Sequence, residues 1–300
     1  GAQTFPSKPV TIVLPYAPGG TIDIQGRLLG NGLTQKLGQP VIVRNMPGAT
    51  GAIATEFVAR APADGYTLLF ASSAQTTSVP MTEKVNYKLE DLAPVSASGR
   101  GTMVLAINSQ VPAKTLKEFI DYAKANPGKL NYGSPGSGSV GHLVAALFVA
   151  RAGIDIMHVP YKGGGPAMTD LLGGQIPMLF GNSGEVMSNA KNDRIRIIAV
   201  STAQRMKQLP NTPAVSELLP GFEMTAWQGT LAPARTPRAV IDVIANAIMA
   251  LSKEANTIER LNEIGVESTT TTPEQMSAII RGEQGVYAEA VKAAGLMRPQ

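Results

Sequence analysis

The sequence predicts an α/β protein of two similar lobes, from three observations. Short β-branched apolar runs alternate with helical repeats, glycine-rich turns join strand to helix in both halves, and aromatics are scarce. Aromatics are 5% of the 300 residues while glycine and proline number 31 and 22, which suits short elements joined by tight turns. With 44% hydrophobic and 16% charged residues, there is apolar material for two ordinary domains and too much of it for a disordered chain.

The first half reads β-α-β-α-β. Residues 10–14 are a β-branched strand, 15–20 carry Gly19 and Gly20 and stop it, and Ile22, Leu29, Leu33 and Leu37 repeat at helical spacing. Thr21 or Asp23 is expected to cap this helix and Gly38 to end it. Glycines there let a ligand approach main-chain N–H groups, so the turn is either a neutral anion site or an ordinary strand-to-helix turn. A second strand at 40–44, a glycine turn at 45–51, a helix through Ala52, Ile53, Phe57 and Val58, and a strand at 66–70 follow. Unbroken apolar strands between helices imply a mostly parallel sheet covered on both faces, with ligands at the carboxyl ends of its strands. Residues 16–21 and 72–76 lie at that edge.

The second half repeats the pattern. A strand at 103–107 and an amphipathic helix at 114–125 precede a strand at 130–132, a glycine and serine turn at 133–139 and an apolar helix at 140–152. Strands at 154–159, 176–180 and 195–200 follow, with helices expected to start near Pro166, Ser183 and Pro213. Two lobes, each with such a turn, suggest a cleft in which both turns face one ligand.

Gly136, Gly138 and Gly141 match G-x-G-x-x-G, but a dinucleotide site needs an acid at the far end of the next strand, and Asp155 sits at its start. The two histidines, His142 and His158, lack metal-ligand spacing, and no serine stands in G-x-S-x-G. His158 alternates with apolar neighbours and reads as a core histidine; His142 either donates to a ligand or caps and packs its helix. No catalytic residue, metal site or cofactor is therefore expected. The absence of cysteine excludes disulfides and thiolate metal sites. A net charge of +4 with scattered Lys and Arg gives no nucleic-acid stripe but helps attract small anions. No apolar run spans a membrane, and residues 1–3 read as the remnant of a cleavage site or an expression scar.

Several blocks, in order along nearly the whole chain, resemble the periplasmic substrate-binding proteins of tripartite tricarboxylate transporters, the Bug or TctC proteins. They are residues 5–9 (FPSKP), 15–20 (PYAPGG) with Asp23, 37–40 (LGQP), 45–48 (NMPG), 64–68 (DGYTL) and 126–132 (NPGKLNY). Residues 159–163 (VPYKG), 166–174 (PAMTDLLGG), 231–233 (LAP) and 293–295 (AAG) complete the series. The resemblance implies a two-lobed flytrap, with residues 1–104 and 226–300 forming lobe 1, residues 105–225 forming lobe 2, and the ligand held in the cleft. Hinge crossings are expected near 103–105 and 225–229.

It also implies a small carboxylate ligand held by the loops after the first strand and after the 130–132 strand. The candidate ligand-binding residues are Tyr16, Ala17, Gly19, Gly20, Thr21, Asp23, Ser72, Ser73 and Gln75 on one side. Ser134, Gly136, Ser137, Gly138, Ser139, His142, Asn182, Ser183 and Trp227 complete the set, Trp227 being either a ligand contact or hinge packing. This chain has Gly181 where the family commonly carries an aspartate before Asn182, and its serine loop departs from S-x-G-x-G-S. Losing that acid favours a more anionic or longer ligand, and the hydroxyl and amide donors at 72–76, Asn182 and Ser183, with no acid except Glu185 further along, suit a second carboxylate or a carbonyl. A dicarboxylate is therefore expected, aromatic or aliphatic. The implied protein is a monomeric periplasmic solute receptor with membrane transporter components as partners. The alternatives are a sensor-type receptor serving a signalling partner and an enzyme on a two-domain α/β fold.

Overall fold

The computed structural model describes residues 4–300; the reading of residues 1–3 as a cleavage remnant or scar lies outside the described residues. In chain order the elements begin β1 (Val10–Leu14), α1 (Thr21–Leu37), β2 (Val41–Asn45), α2 (Ala52–Ala59), β3 (Thr67–Ser72) and α3 (Val79–Thr82). Next come β4 (Leu92–Gly101), β5 (Met103–Asn108), α4 (Leu116–Ala125), β6 (Leu130–Ser134), α5 (Val140–Ala152), β7 (Ile156–Pro160) and α6 (Gly164–Gly173). The chain closes with β8 (Met178–Asn182), α7 (Ser183–Met187), β9 (Ile195–Val200), β10 (Ala226–Pro233), α8 (Arg238–Ser252), α9 (Ala255–Glu263), β11 (Val266–Ser268) and α10 (Pro273–Ala293).

The chain divides into two compact units. Unit 1 is Gly1–Arg100 with Trp227–Gln284, and unit 2 is Gly101–Ala226 with Gly285–Gln300.

Unit 1 holds a six-stranded sheet in the order β11-β4-β10-β3-β1-β2. β1 runs parallel to β2 and β3, and β10 antiparallel to β3. The sheet is thus mixed. β1 alternates its side chains between two cores, which is why nearly every residue in it is apolar. Val10, Ile12 and Leu14 pack against Leu29 and Leu33 of α1 and Ile244, Ile248 and Leu251 of α8. Val13 faces the other way, toward Ala54 and Val58 of α2 and Met276 and Ile280 of α10.

Unit 2 holds a five-stranded sheet in the order β7-β6-β8-β5-β9, with β6 parallel to β7 and β8 and β5 antiparallel to both its neighbours. Ala167, Met168 and Leu171 of α6 cover one part of it, packed on Leu179, Val104 and Ala106. α5 packs through Phe148, whose ring meets Phe180 of β8 edge-on at 5.6 Å.

Two local expectations fail for stated reasons. The helix expected to start near Pro213 is only a single 3-10 turn at Val215–Glu217, because Pro210, Pro213 and Pro220 deny the segment a run of backbone donors. Neither Thr21 nor Asp23 caps α1: Gly20 is the N-cap with no side-chain hydrogen bond, and the Asp23 carboxylate turns back to the loop. Gly38 ends α1 as expected, in the left-handed region at φ 74°.

Candidate ligand-binding loops

In unit 1 the loop between β1 and α1 is exposed from Ala17 to Thr21. It is held from behind. The Asp23 carboxylate accepts the Gly19 N–H at 3.0 Å, Asn45 Nδ2 at 2.9 Å and Arg27 Nε at 3.1 Å. Asn45 Nδ2 also donates to the Tyr16 carbonyl at 2.9 Å. The Asn45 hydrogen bond, followed by those from Gly19 and Arg27, holds the Asp23 carboxyl below the usual range despite its burial. Its negative charge is therefore matched inside the protein, and the exposed N–H groups of the first turn of α1 have no helical acceptor.

Behind this loop lies Gln75, in a π-helical turn at Ala74–Ser78 and wholly buried. Its Oε1 accepts the Ser72 N–H at 3.1 Å and the Ser72 hydroxyl at 3.2 Å. Its Nε2 donates to Tyr16 Oη at 2.7 Å and to the Thr50 carbonyl at 3.2 Å. Thr50 sits in a strained turn in which Gly48, Ala49, Thr50 and Gly51 all have positive φ, at 128°, 51°, 55° and 92°. Non-glycine residues hold such angles only where their surroundings over-determine them. Gln75 thus ties together the loops that follow β1, β2 and β3.

Ser73 and Trp227 serve the interior of unit 1. Ser73 Oγ donates to Glu283 Oε2 at 3.1 Å, while Thr77 Oγ1 and Trp227 Nε1 donate to Oε1 at 2.6 and 2.9 Å. Burial pushes the Glu283 carboxyl up to about 7, against the lowering effect of those three donors. The Trp227 ring is 3% exposed, in a core cluster with Leu231, Met276 and Ile280.

In unit 2 the serine loop between β6 and α5 is held the same way. Ser134, fully buried, accepts the Gly136 N–H at 3.1 Å, and its Oγ lies 2.6 Å from His158 Nε2. His142 Nδ1 accepts the Gly138 N–H at 3.0 Å, and Ser139 Oγ caps α5 by accepting the His142 N–H at 3.2 Å. The two imidazoles stack at 3.6 Å with 8° between planes. Burial first, and the charge His158 would carry second, push His142 down to about 4; burial also lowers His158. Both rings are neutral at ordinary pH. Asn182 Oδ1 accepts the Gly184 N–H at 3.1 Å, and the Ser183 N–H donates to the Thr102 carbonyl at 2.9 Å.

The third glycine of the G-x-G-x-x-G match has a packing role. A Cβ on Gly141 would lie 2.8 Å from the Phe180 carbonyl oxygen, so α5 approaches β8 this closely only with glycine there.

Tyr16, Ala17, Gly19, Gly20, Thr21 and Asp23 are gathered on the unit 1 loop, with Ser72 beside Tyr16. Ser137, Gly138, Ser139 and His142 are gathered on the unit 2 loop with Gly136. Ser73, Gln75, Ser134 and Trp227 lie inward, their side-chain polar atoms bonded to the protein. Sequence reasoning missed the roles of Asn45, Thr50 and Glu283; His158, read as a core histidine, is half-buried and paired with Ser134. Asn45 and Thr50 stand in or beside the Asn45 to Gly48 turn, which offered a signal; Glu283 offered none. Among the described residues no cluster of His, Cys, Asp and Glu suits a metal ion, and no helix is long and apolar enough to cross a membrane.

A family model described as tripartite tricarboxylate transporter family receptor matches residues 26–296. Protein BugT of Bordetella pertussis is 34% identical over 298 residues, covering 98% of this chain and 91% of its own length. Among solved structures, R. palustris Rpa4515 with adipate is 30% identical at a TM-score of 0.81, covering 98% of this chain and 99% of that one. MatC from Rhodopseudomonas palustris with bound malate is 27% identical at a TM-score of 0.77, covering 96% and 100%. The two-unit α/β architecture is that of periplasmic binding protein BugD, 30% identical at a TM-score of 0.77, covering 98% of this chain and 100% of that one.

Proposed function

The chain belongs to the tripartite tricarboxylate transporter receptor family, and from that premise we propose that it is a periplasmic receptor for a small aliphatic dicarboxylate. It delivers the ligand to the membrane components of a tripartite tricarboxylate-type transporter, acts as a monomer and carries out no chemistry on what it binds. The loops at residues 16–23 and 134–142 supply the carboxylate contacts.

One observation carries this reading. Both loops present neutral donors, main-chain N–H groups and hydroxyls, and the carboxylate on the first loop, Asp23, is matched by Asn45, Gly19 and Arg27. Such donors stabilise a carboxylate, and hydrogen bonds to a charged group are the strong ones. Adipate and malate, in the related structures, are both dicarboxylates. An aliphatic body is favoured because the Trp227 ring lies in a core cluster and its N–H is committed to Glu283, leaving no indole face for an aromatic ligand. A receptor is favoured over an enzyme because Ser134, the serine paired with a histidine, is fully buried.

Calorimetry with matched pairs, adipate against hexanoate and succinate against butyrate, tests it, together with a check for turnover of any binder. The diacid should bind and its monoacid should lose tenfold or more, roughly 1.4 kcal/mol. A monoacid within a factor of about three of its diacid, below about 0.7 kcal/mol, overturns the dicarboxylate reading.

A further inference from the structure

We propose that Gln75 is a positioning residue that makes Tyr16 a hydrogen-bond donor to the ligand carboxylate, by occupying the acceptor side of its hydroxyl. This deepens the reading of the 16–23 loop as a carboxylate site and rests on it.

The argument turns on which end of the Gln75 amide faces which partner. Amide oxygen and nitrogen are often interchangeable in a structure, but here two backbone groups leave no choice. The Ser72 N–H is only a donor, so the group 3.1 Å from it is the amide oxygen. The Thr50 carbonyl is only an acceptor, so the group 3.2 Å from it is the amide nitrogen. That nitrogen also lies 2.7 Å from Tyr16 Oη. The phenol must accept there, and its single proton points away from Gln75.

Ser72 Oγ stands beside the same phenol, accepts the Ala74 N–H at 3.2 Å and donates to Gln75 Oε1, which leaves it one lone pair for Tyr16. That neutral oxygen is the internal acceptor for the Tyr16 proton, and a ligand carboxylate, being charged, is the stronger acceptor that draws the proton to itself. Tyr16 is half-buried at the start of the exposed loop, and its main-chain carbonyl is fixed by Asn45. Burial raises the phenol above its ordinary range, so it stays protonated and able to donate. The strained turn at Gly48–Gly51 is explained too, because its left-handed backbone delivers the Thr50 carbonyl to the second Gln75 proton. A Cβ on Gly51 would lie 2.5 Å from Gln75 Nε2, so glycine is what the amide's place requires.

The test has two arms. The first needs no ligand: the ionisation of Tyr16 is read as the alkaline absorbance difference between each protein and its Tyr16→Phe counterpart. Gln75→Glu keeps the acceptor to Ser72 but replaces the donor to the phenol, and should raise the Tyr16 pKa by about one unit or more. Gln75→Met, which removes the donor without adding charge, should shift it in the same direction and serves if the glutamate variant does not fold. A Tyr16 titration unchanged in the folded variants overturns the proposal.

The second arm uses adipate and malate as probes. Tyr16→Phe and Gln75→Glu should each weaken binding about tenfold or more, and the double variant should be no weaker than the poorer single one. Losses that simply multiply in the double variant would mean Gln75 does not act through Tyr16, and overturn the proposal. If neither probe binds the unmodified protein, the dicarboxylate reading fails for them, and the phenol titration decides the positioning role alone.

Discussion

His142 accepts the main-chain N–H of Gly138 through Nδ1 at 3.0 Å, four residues back along the serine loop. The imidazole proton therefore sits on Nε2, and the loop's shape depends on the ring staying neutral. Protonation would place a second N–H against the Gly138 N–H, which is one reason a charged His142 is disfavoured here, beside burial and the stacked His158.

Ligand affinity should accordingly be nearly constant from about pH 6.5 to 9, because neutral amides, hydroxyls and a neutral imidazole do not titrate there. Calorimetry with adipate at three pH values in that window checks this. A steep loss of affinity with rising pH that His142→Gln abolishes would show that an imidazolium carries the anion instead.

Stability should depend on pH through two groups of opposite sign. His142 is lowered from 6.5 to about 4, so the unfolded chain takes up its proton first on acidification; the contribution is complete above about pH 6.5 and lost as the pH falls toward 4. Glu283 is raised from 4.5 to about 7, so the folded chain holds its proton longer; that contribution is complete below about pH 4.5 and lost as the pH rises through 7. Urea midpoints for His142→Gln should flatten the acid limb and those for Glu283→Gln the limb between 4.5 and 7. Curves parallel to the unmodified protein in both variants would refute the assignment.

Filling the loops should remove binding and spare the fold. A Cβ at Gly20 meets nothing within 4 Å and the residue's φ is −83°, so Gly20→Val is tolerated by the backbone while crowding the exposed N–H groups. Ser139→Asp keeps a cap on α5 and adds negative charge to the serine loop. Each should lose roughly tenfold or more in affinity, the worth of one charged hydrogen bond at about 1.5–3 kcal/mol. Unchanged dissociation constants in both, with native circular dichroism, would remove these loops from the site.

Gly141→Ala should destabilise unit 2, by about 1–3 kcal/mol as overpacking does. The new methyl would face the Phe180 carbonyl, a backbone atom that cannot swing aside. A urea midpoint equal to that of the unmodified protein would show that α5 can lift off β8 without loss.

Most of the architecture was legible because it is written in local periodicity. The β-branched run at residues 10–14, the glycines at 19 and 20 and the 3.6-residue repeat through Leu37 specify strand, turn and helix without reference to the rest of the chain. The same signals located the serine loop and α5. Near Pro213, where a helix is expected, three prolines leave only a single turn.

The roles of the site's side chains were not legible, and the reason is sequence separation. Ser73 and Gln75 read as ligand donors because they are polar residues at a strand's carboxyl end; only folding brings Tyr16, 59 residues away, to Gln75 and Glu283, 210 residues away, to Ser73. Trp227 reads from sequence as either a ligand contact or hinge packing, and it is Glu283, 56 residues away, that takes its N–H. The sequence by itself determined the α/β fold class, the two glycine loops and the family resemblance, since each rests on neighbours along the chain. Tertiary structure alone decided which polar groups remain available, because a donor is used up by whichever distant acceptor the packing of the sheet and helices sets beside it.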